Sequence, residues 1–127
     1  MGRLLHELDL VPDAIVSSTA VRALSTARAA ADACGYGAEI RARHDLYLAE
    51  PGAYLAVLQA LEPGLRRVLV VGHNPALEEL VEGVSSASPR LPTAALARVD
   101  LPIEDWSELE LDRRGVLVGL WRPRQLA

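Results

Sequence analysis

Along the chain, short unbroken apolar runs alternate with longer stretches in which apolar residues return every three or four positions. These are the periods that separate buried strands from amphipathic helices. Leu4, Leu5 and Leu8 share one side of a helical spacing across residues 1–10, and Pro12-Asp13 stop it. Ala14 to Ser18, AIVSS, then reads as a short buried strand. Ser18 and Thr19 are N-cap residue types, and VRALSTARAAADAC behind them predicts an Ala-rich helix ended by Gly35 and Gly37. Residues 38–44 predict a more polar, outer strand. Pro51 suits the first turn of a helix, and AYLAVLQAL keeps helical spacing up to Pro63-Gly64.

The clearest pattern is RRVLVVGHNPALEELVEG. Val68 to Val71 is aliphatic throughout, as expected of a parallel strand buried on both faces. Gly72-His73-Asn74 makes a turn, Asn74 can cap the next helix, and Pro75 fits its first position. Glu78 and Glu79 complement the positive end of that helix dipole. After a Ser/Pro loop, SSASPRLP, two more strands are predicted, Ala94 to Leu101 and Val116 to Trp121. A connection with a short helical turn at Asp105-Trp106 joins them. Strands alternating with helices imply an α/β fold, a three-layer αβα sandwich with a mostly parallel sheet, formed by residues 1–127 as a single domain. In such sheets ligands bind beyond the carboxyl ends of the strands. That rule points to Ser17–Arg22 and Gly72–Pro75.

Composition narrows the classes. Net charge is -4, which argues against a nucleic-acid or anionic-membrane surface, and all 13 cations are arginine. Glu7 and Asp9 interrupt the first apolar run, so it is no signal peptide, and no run is long enough to span a bilayer. Cys34 is alone, which forbids an intramolecular disulfide and fits a reducing, cytoplasmic setting, with the thiol acting as a small buried hydrophobe. The scattered His6, His44 and His73 have no metal-ligand spacing, and there is no P-loop or GxGxxG, so no metal or cofactor is expected.

Two residues carry the candidate chemistry. Arg22 falls one turn into a helix, where its charge opposes the dipole unless an anion binds there. A surface arginine paired with a carboxylate is the bland alternative. His73 leaves the most apolar strand in a Gly-His-Asn-Pro turn, where it can donate to a phosphoryl oxygen, or merely satisfy the turn. His6 reads as solvated, Glu50 as surface or proton donor, and Arg43-His44-Asp45 as exposed, because EIRAR before it is too polar for a central strand.

S-S-T-A-V-R-A-L-S-T-A at 17–27, V-L-V-V-G-H-N-P at 68–75, L-P-T-A-A-L-A at 91–97 and V-G-L-W-R-P-R-Q-L at 118–126 follow one another in an order that resembles bacterial phosphohistidine phosphatases of the SixA type. These belong to the histidine phosphatase (phosphoglycerate mutase-like) superfamily. The resemblance implies a phosphatase in which the histidine of an Arg-His-Gly tripeptide takes up the phosphoryl group, while a second arginine and a second histidine grip it. Arg22 and His73 match those two positions, so both are expected to be catalytic and, with Asn74, substrate-binding. Thr93 matches a position with no assigned role. No Arg-His-Gly occurs in the 127 residues. On this resemblance a central first strand with its nucleophile loop, about 30 residues by the size of a βα unit, is expected upstream, and strand edges are expected to be open without it. The implied substrate is a phosphorylated protein carrying phosphohistidine, or a small phosphorylated compound. The alternative is a non-catalytic phosphate-binding or regulatory module. A generic nucleotide-binding domain ranks last for want of a glycine-rich loop.

Overall fold

The computed structural model describes Leu5 and residues 10–122. The elements in order are β1 (Ala14–Ser18), α1 (Val21–Cys34), β2 (Arg41–Arg43), α2 (Pro51–Gln59), β3 (Val68–Val71), α3 (Ala76–Val84), β4 (Leu96–Asp100) and β5 (Val116–Trp121), with 3-10 turns at His44–Leu46 and Trp106–Glu108. Most of the predicted first helix, with His6, lies outside the described residues. Leu5 is helical and buried, and its carbonyl accepts from the Leu10 N–H at 2.8 Å. The chain divides into two compact units, one reaching to Leu48 and including Leu65–His73, the other comprising Ala49–Gly64 and the chain from Asn74.

The first unit is a three-stranded parallel sheet in the order β2-β1-β3. β1 is central and fully buried at all five positions. α1 packs on the sheet through Ala23, Ala27 and Ala31, which join Ile15 and Val71 in one apolar cluster. Alanine at this spacing lets helix and sheet approach closely while still removing apolar surface from water. Cys34, the last residue of α1, is buried as expected, and Gly35 ends the helix in the left-handed conformation with its N–H on the Ala31 carbonyl.

Two polar devices complete the sheet where its ladder stops. The β1–β2 register begins at Val16↔Arg41, leaving the Ile15 N–H beyond the end of β2. The Tyr36 hydroxyl accepts from it at 3.2 Å and donates onward to the Glu39 carbonyl at 3.1 Å. At the start of β1, Asp13 Oδ2 accepts from the N–H groups of Arg66 and Arg67 at 2.8 and 2.9 Å, fixing where β3 enters. Each device satisfies backbone groups that would otherwise lack a partner.

Two features differ from the sequence expectation. Val68–Val70 are only half-buried and Val71 alone is buried, so β3 is not covered on both faces. The reason is position: among the described residues β3 pairs only with β1 and is an edge strand. Among the described residues the unpaired edges therefore belong to β3 and β2, whereas β1 is paired on both sides. The predicted polar strand over 38–44 shortens to Arg41–Arg43 and is the outer strand at the other edge.

The second unit holds α2, α3 and an antiparallel pair, β4–β5, with a bulge between Arg98 and Val99. Gln59 Nε2 donates to the Leu109 carbonyl at 2.7 Å, tying α2 to the segment before β5. Gly115 comes so close to α3 that a Cβ on it would stand 2.5 Å from the Val84 carbonyl oxygen. The short helical turn expected near Asp105-Trp106 forms at Trp106–Glu108, capped by Asp105 Oδ1 on the Ser107 N–H. Among the described residues no helix is long and apolar enough to cross a membrane.

Candidate functional site

Parallel pairing brings all three strand exits of the first unit to one edge. Ser18 pairs with Arg43 and Ser17 with Val71. Thr19 is one residue beyond Ser18, His44 one beyond Arg43, and His73 two beyond Val71. Extending the register therefore puts Thr19, His44 and His73 level with one another, on strands about 4.8 Å apart.

Hydrogen bonds stitch this rim together. Thr19 Oγ1 lies 3.1 Å from His44 Nδ1. His73 Nε2 donates to the Leu46 carbonyl, in the turn after β2, at 3.3 Å. That contact orients the half-buried His73 ring. Ser17 and Ser18 are fully buried and are spent on local structure: Ser17 Oγ donates to the Ser18 carbonyl, and Ser18 Oγ accepts from the Ala20 N–H at 3.2 Å.

Arg22 is exposed in the first turn of α1, just past this rim. The start of α1 is electrostatically open. Its N-cap is Ala20, which offers no side-chain cap, and no acidic residue occupies the first turn. The predicted cap from Ser18 or Thr19 does not form, because Ser18 Oγ bonds the Ala20 N–H outside the helix and Thr19 Oγ1 meets His44. Among the described residues no carboxylate pairs with Arg22. A helix start with its N–H groups uncapped and such a guanidinium beside them is a ready anion site.

The expected second helix N-terminus behaves differently. Asn74 Oδ1 accepts from the Glu78 N–H at 3.3 Å, and Asn74 Nδ2 donates to the Leu91 carbonyl. Glu78 and Glu79 occupy the first turn of α3, and Glu78 Oε2 accepts from the Leu91 N–H at 2.6 Å. The positive end of α3 is thus answered from within its own unit, as the sequence anticipated for the two glutamates. Thr93 is exposed in the turn before β4, closed by the Ala95 N–H on the Pro92 carbonyl.

Arg43-His44-Asp45 is exposed, as expected. Arg43 forks onto the Asp45 carboxylate at 3.1 and 2.7 Å, which raises the guanidinium's proton affinity and holds the carboxyl below its ordinary range. His44 nevertheless stands on the candidate rim through Thr19, a placement that strand polarity conceals. The usable signal is position, since His44 directly succeeds its strand, much as Thr19 succeeds β1. Among the described residues no group of three or more His, Cys, Asp or Glu could hold a metal ion.

Comparison with solved structures shows which known folds share this arrangement of strands and helices. The chain has the fold of the protein histidine phosphatase SixA, whose structure was solved in complex with tungstate. The TM-score is 0.81 at 23% sequence identity, over 99% of this chain and 78% of that one. A candidate phosphohistidine phosphatase SixA from Agrobacterium tumefaciens matches with a TM-score of 0.76 and 26% identity, over 96% of this chain and 75% of that one. Another candidate, from Nakamurella multipartitia, matches at 0.78 and 24%, over 96% and 77%. No protein-family model and no curated protein matches the sequence.

Proposed function

We propose that the chain is the phosphate-gripping body of a phosphohistidine phosphatase, acting in the cytoplasm on a phosphorylated protein. The observation that carries this reading is the open start of α1, where exposed Arg22 has no carboxylate partner among the described residues, at the same sheet edge as His73. The fold shared with a protein histidine phosphatase supports the choice of reaction and substrate. Tungstate, bound by that protein, is an oxyanion of the kind this edge would hold.

In this mechanism a histidine nitrogen attacks phosphorus and the bond to the leaving nitrogen breaks. Water then attacks the phosphohistidine formed on the enzyme, releasing phosphate and restoring the imidazole. Arg22 and an N–H of the His73 ring stabilise the negative charge on the equatorial oxygens, the main work in phosphoryl transfer. An imidazole leaving group accepts a proton readily, so it needs no dedicated carboxylic acid.

The nucleophile is the part that Arg22 and His73 do not supply, since no Arg-His-Gly occurs in these residues. A strand carrying such a histidine would have the outer edge of β3, whose exit carries His73, available for pairing.

The test is hydrolysis of a phosphohistidine peptide by the 127 residues and by the same chain extended with a strand ending in Arg-His-Gly. Little turnover from the first and clear turnover from the second is expected, lost again on replacing the new histidine. Full activity in the 127 residues, abolished by His44→Ala, would make His44 the nucleophile and overturn this assignment.

A further inference from the structure

The turn after β2 carries features that phosphate binding does not use. His44 and Tyr47 stack with ring centroids 5.6 Å apart and planes 13° from parallel. The stack is held at both ends: Thr19 Oγ1 sits 3.1 Å from His44 Nδ1, and the Tyr47 N–H donates to the His44 carbonyl at 2.9 Å. It is also left in solvent. His44 is exposed, Tyr47 is 48% exposed and Leu48 is 74% exposed. Leu48 has φ +50°, a left-handed conformation that a branched side chain keeps only where the surrounding chain imposes it. An ordered, exposed aromatic pair next to a large exposed aliphatic group marks a contact surface more than a packing element.

Its position says what it would contact. His44 is level with Thr19 and His73 on the rim, and the Leu46 carbonyl that orients His73 lies between His44 and Tyr47 in sequence. A phosphoryl group held by Arg22 and His73 would project its leaving group outward from this edge. Resting on the phosphatase reading above, we propose that the His44–Tyr47 stack is a specificity element that receives a flat leaving group, such as the imidazole ring of a phosphohistidine, and so favours ring-bearing phosphoryl substrates over alkyl phosphates. The neighbouring Arg43–Asp45 pair neutralises itself and leaves the stack free of a net charge from either side chain.

Two non-hydrolysable ligands with the same anionic head isolate the effect, phenylphosphonate and methylphosphonate, titrated calorimetrically into the full chain. Phenylphosphonate is expected to bind about fivefold tighter, the scale of one aromatic contact. The double variant His44→Gln/Tyr47→Ala is expected to bring the ratio close to one, and Tyr47→Phe, which keeps the ring, to preserve it. Arg22→Ala should weaken both ligands together. A ratio of one in the unaltered chain, or a ratio that survives the double variant, would overturn the proposal while the Arg22 dependence left the phosphate site standing. No binding of either phosphonate would overturn both.

Discussion

α1 and α3 both come after a parallel strand, and they begin in opposite ways. α3 begins at Ala76 behind Pro75, with Asn74 Oδ1 accepting from the Glu78 N–H and with Glu78 and Glu79 in its first turn, so its dipole is met from within the chain. α1 starts on Ala20, has no acid in its first turn and places Arg22 there instead. Stability alone would favour the first design everywhere, since charge opposed to the dipole and a missing cap each forfeit a fraction of a kcal/mol to about 1 kcal/mol. On the proposed function, the local stability that α1 gives up is the cost of keeping an anion site open, a cost that α3 does not carry.

Removing the charge that distinguishes the two starts should cost the most. Arg22→Ala should lower phosphate affinity by about 10- to 100-fold, the range of a lost charge-assisted hydrogen bond, with little change in melting temperature. Calorimetric titration with inorganic phosphate reads it directly. Giving α1 the design of α3 should trade binding for stability. Val21 is 82% exposed and free to change, and Val21→Glu should raise stability by up to about 1 kcal/mol while weakening phosphate severalfold. A gain in stability with undiminished binding would show that the open start serves no anion.

At α3 the reverse change should cost stability and leave phosphate binding alone. Glu78→Ala removes a first-turn charge and the acceptor for the Leu91 N–H, and a loss of about 1–2 kcal/mol is expected in a denaturant melt. The smallest effect belongs to the exposed Arg43–Asp45 pair. The Arg43 guanidinium lowers the Asp45 carboxyl's affinity for protons, so any stability the pair adds is present above the ordinary aspartate range near pH ~4 and fades as pH falls through the lowered value. Melts of Asp45→Asn should therefore differ from the unaltered chain by under about 1 kcal/mol at neutral pH and coincide with it in strong acid.

Much of this is legible in the residues themselves. AIVSS, the Ala-rich helix and VLVV announce a parallel α/β arrangement because burial on a sheet demands aliphatic runs and close helix packing demands small residues. The spacing of Arg22 and His73 behind their strands points to one sheet edge. Pairing is what the residues conceal. VLVV is as apolar as a central strand yet stands at an edge, because apolar content records what a strand could bury and not how many neighbours it has. Ser18 and Thr19 have the chemistry of caps, but register turns Thr19 toward His44 and Ser18 toward the Ala20 N–H. The polarity of β2 reflects its outer position and has no bearing on His44, the residue just past its end.

If Arg22 and His73 close on one anion at the start of α1, a crystal of the chain soaked with tungstate should reveal it, since the metal's anomalous signal fixes the ion independently of the protein. One tungstate is expected, with oxygens about 3 Å from both the Arg22 guanidinium and the His73 ring. An ion bound elsewhere, or the two side chains more than about 10 Å apart with no ion between them, would contradict the shared site.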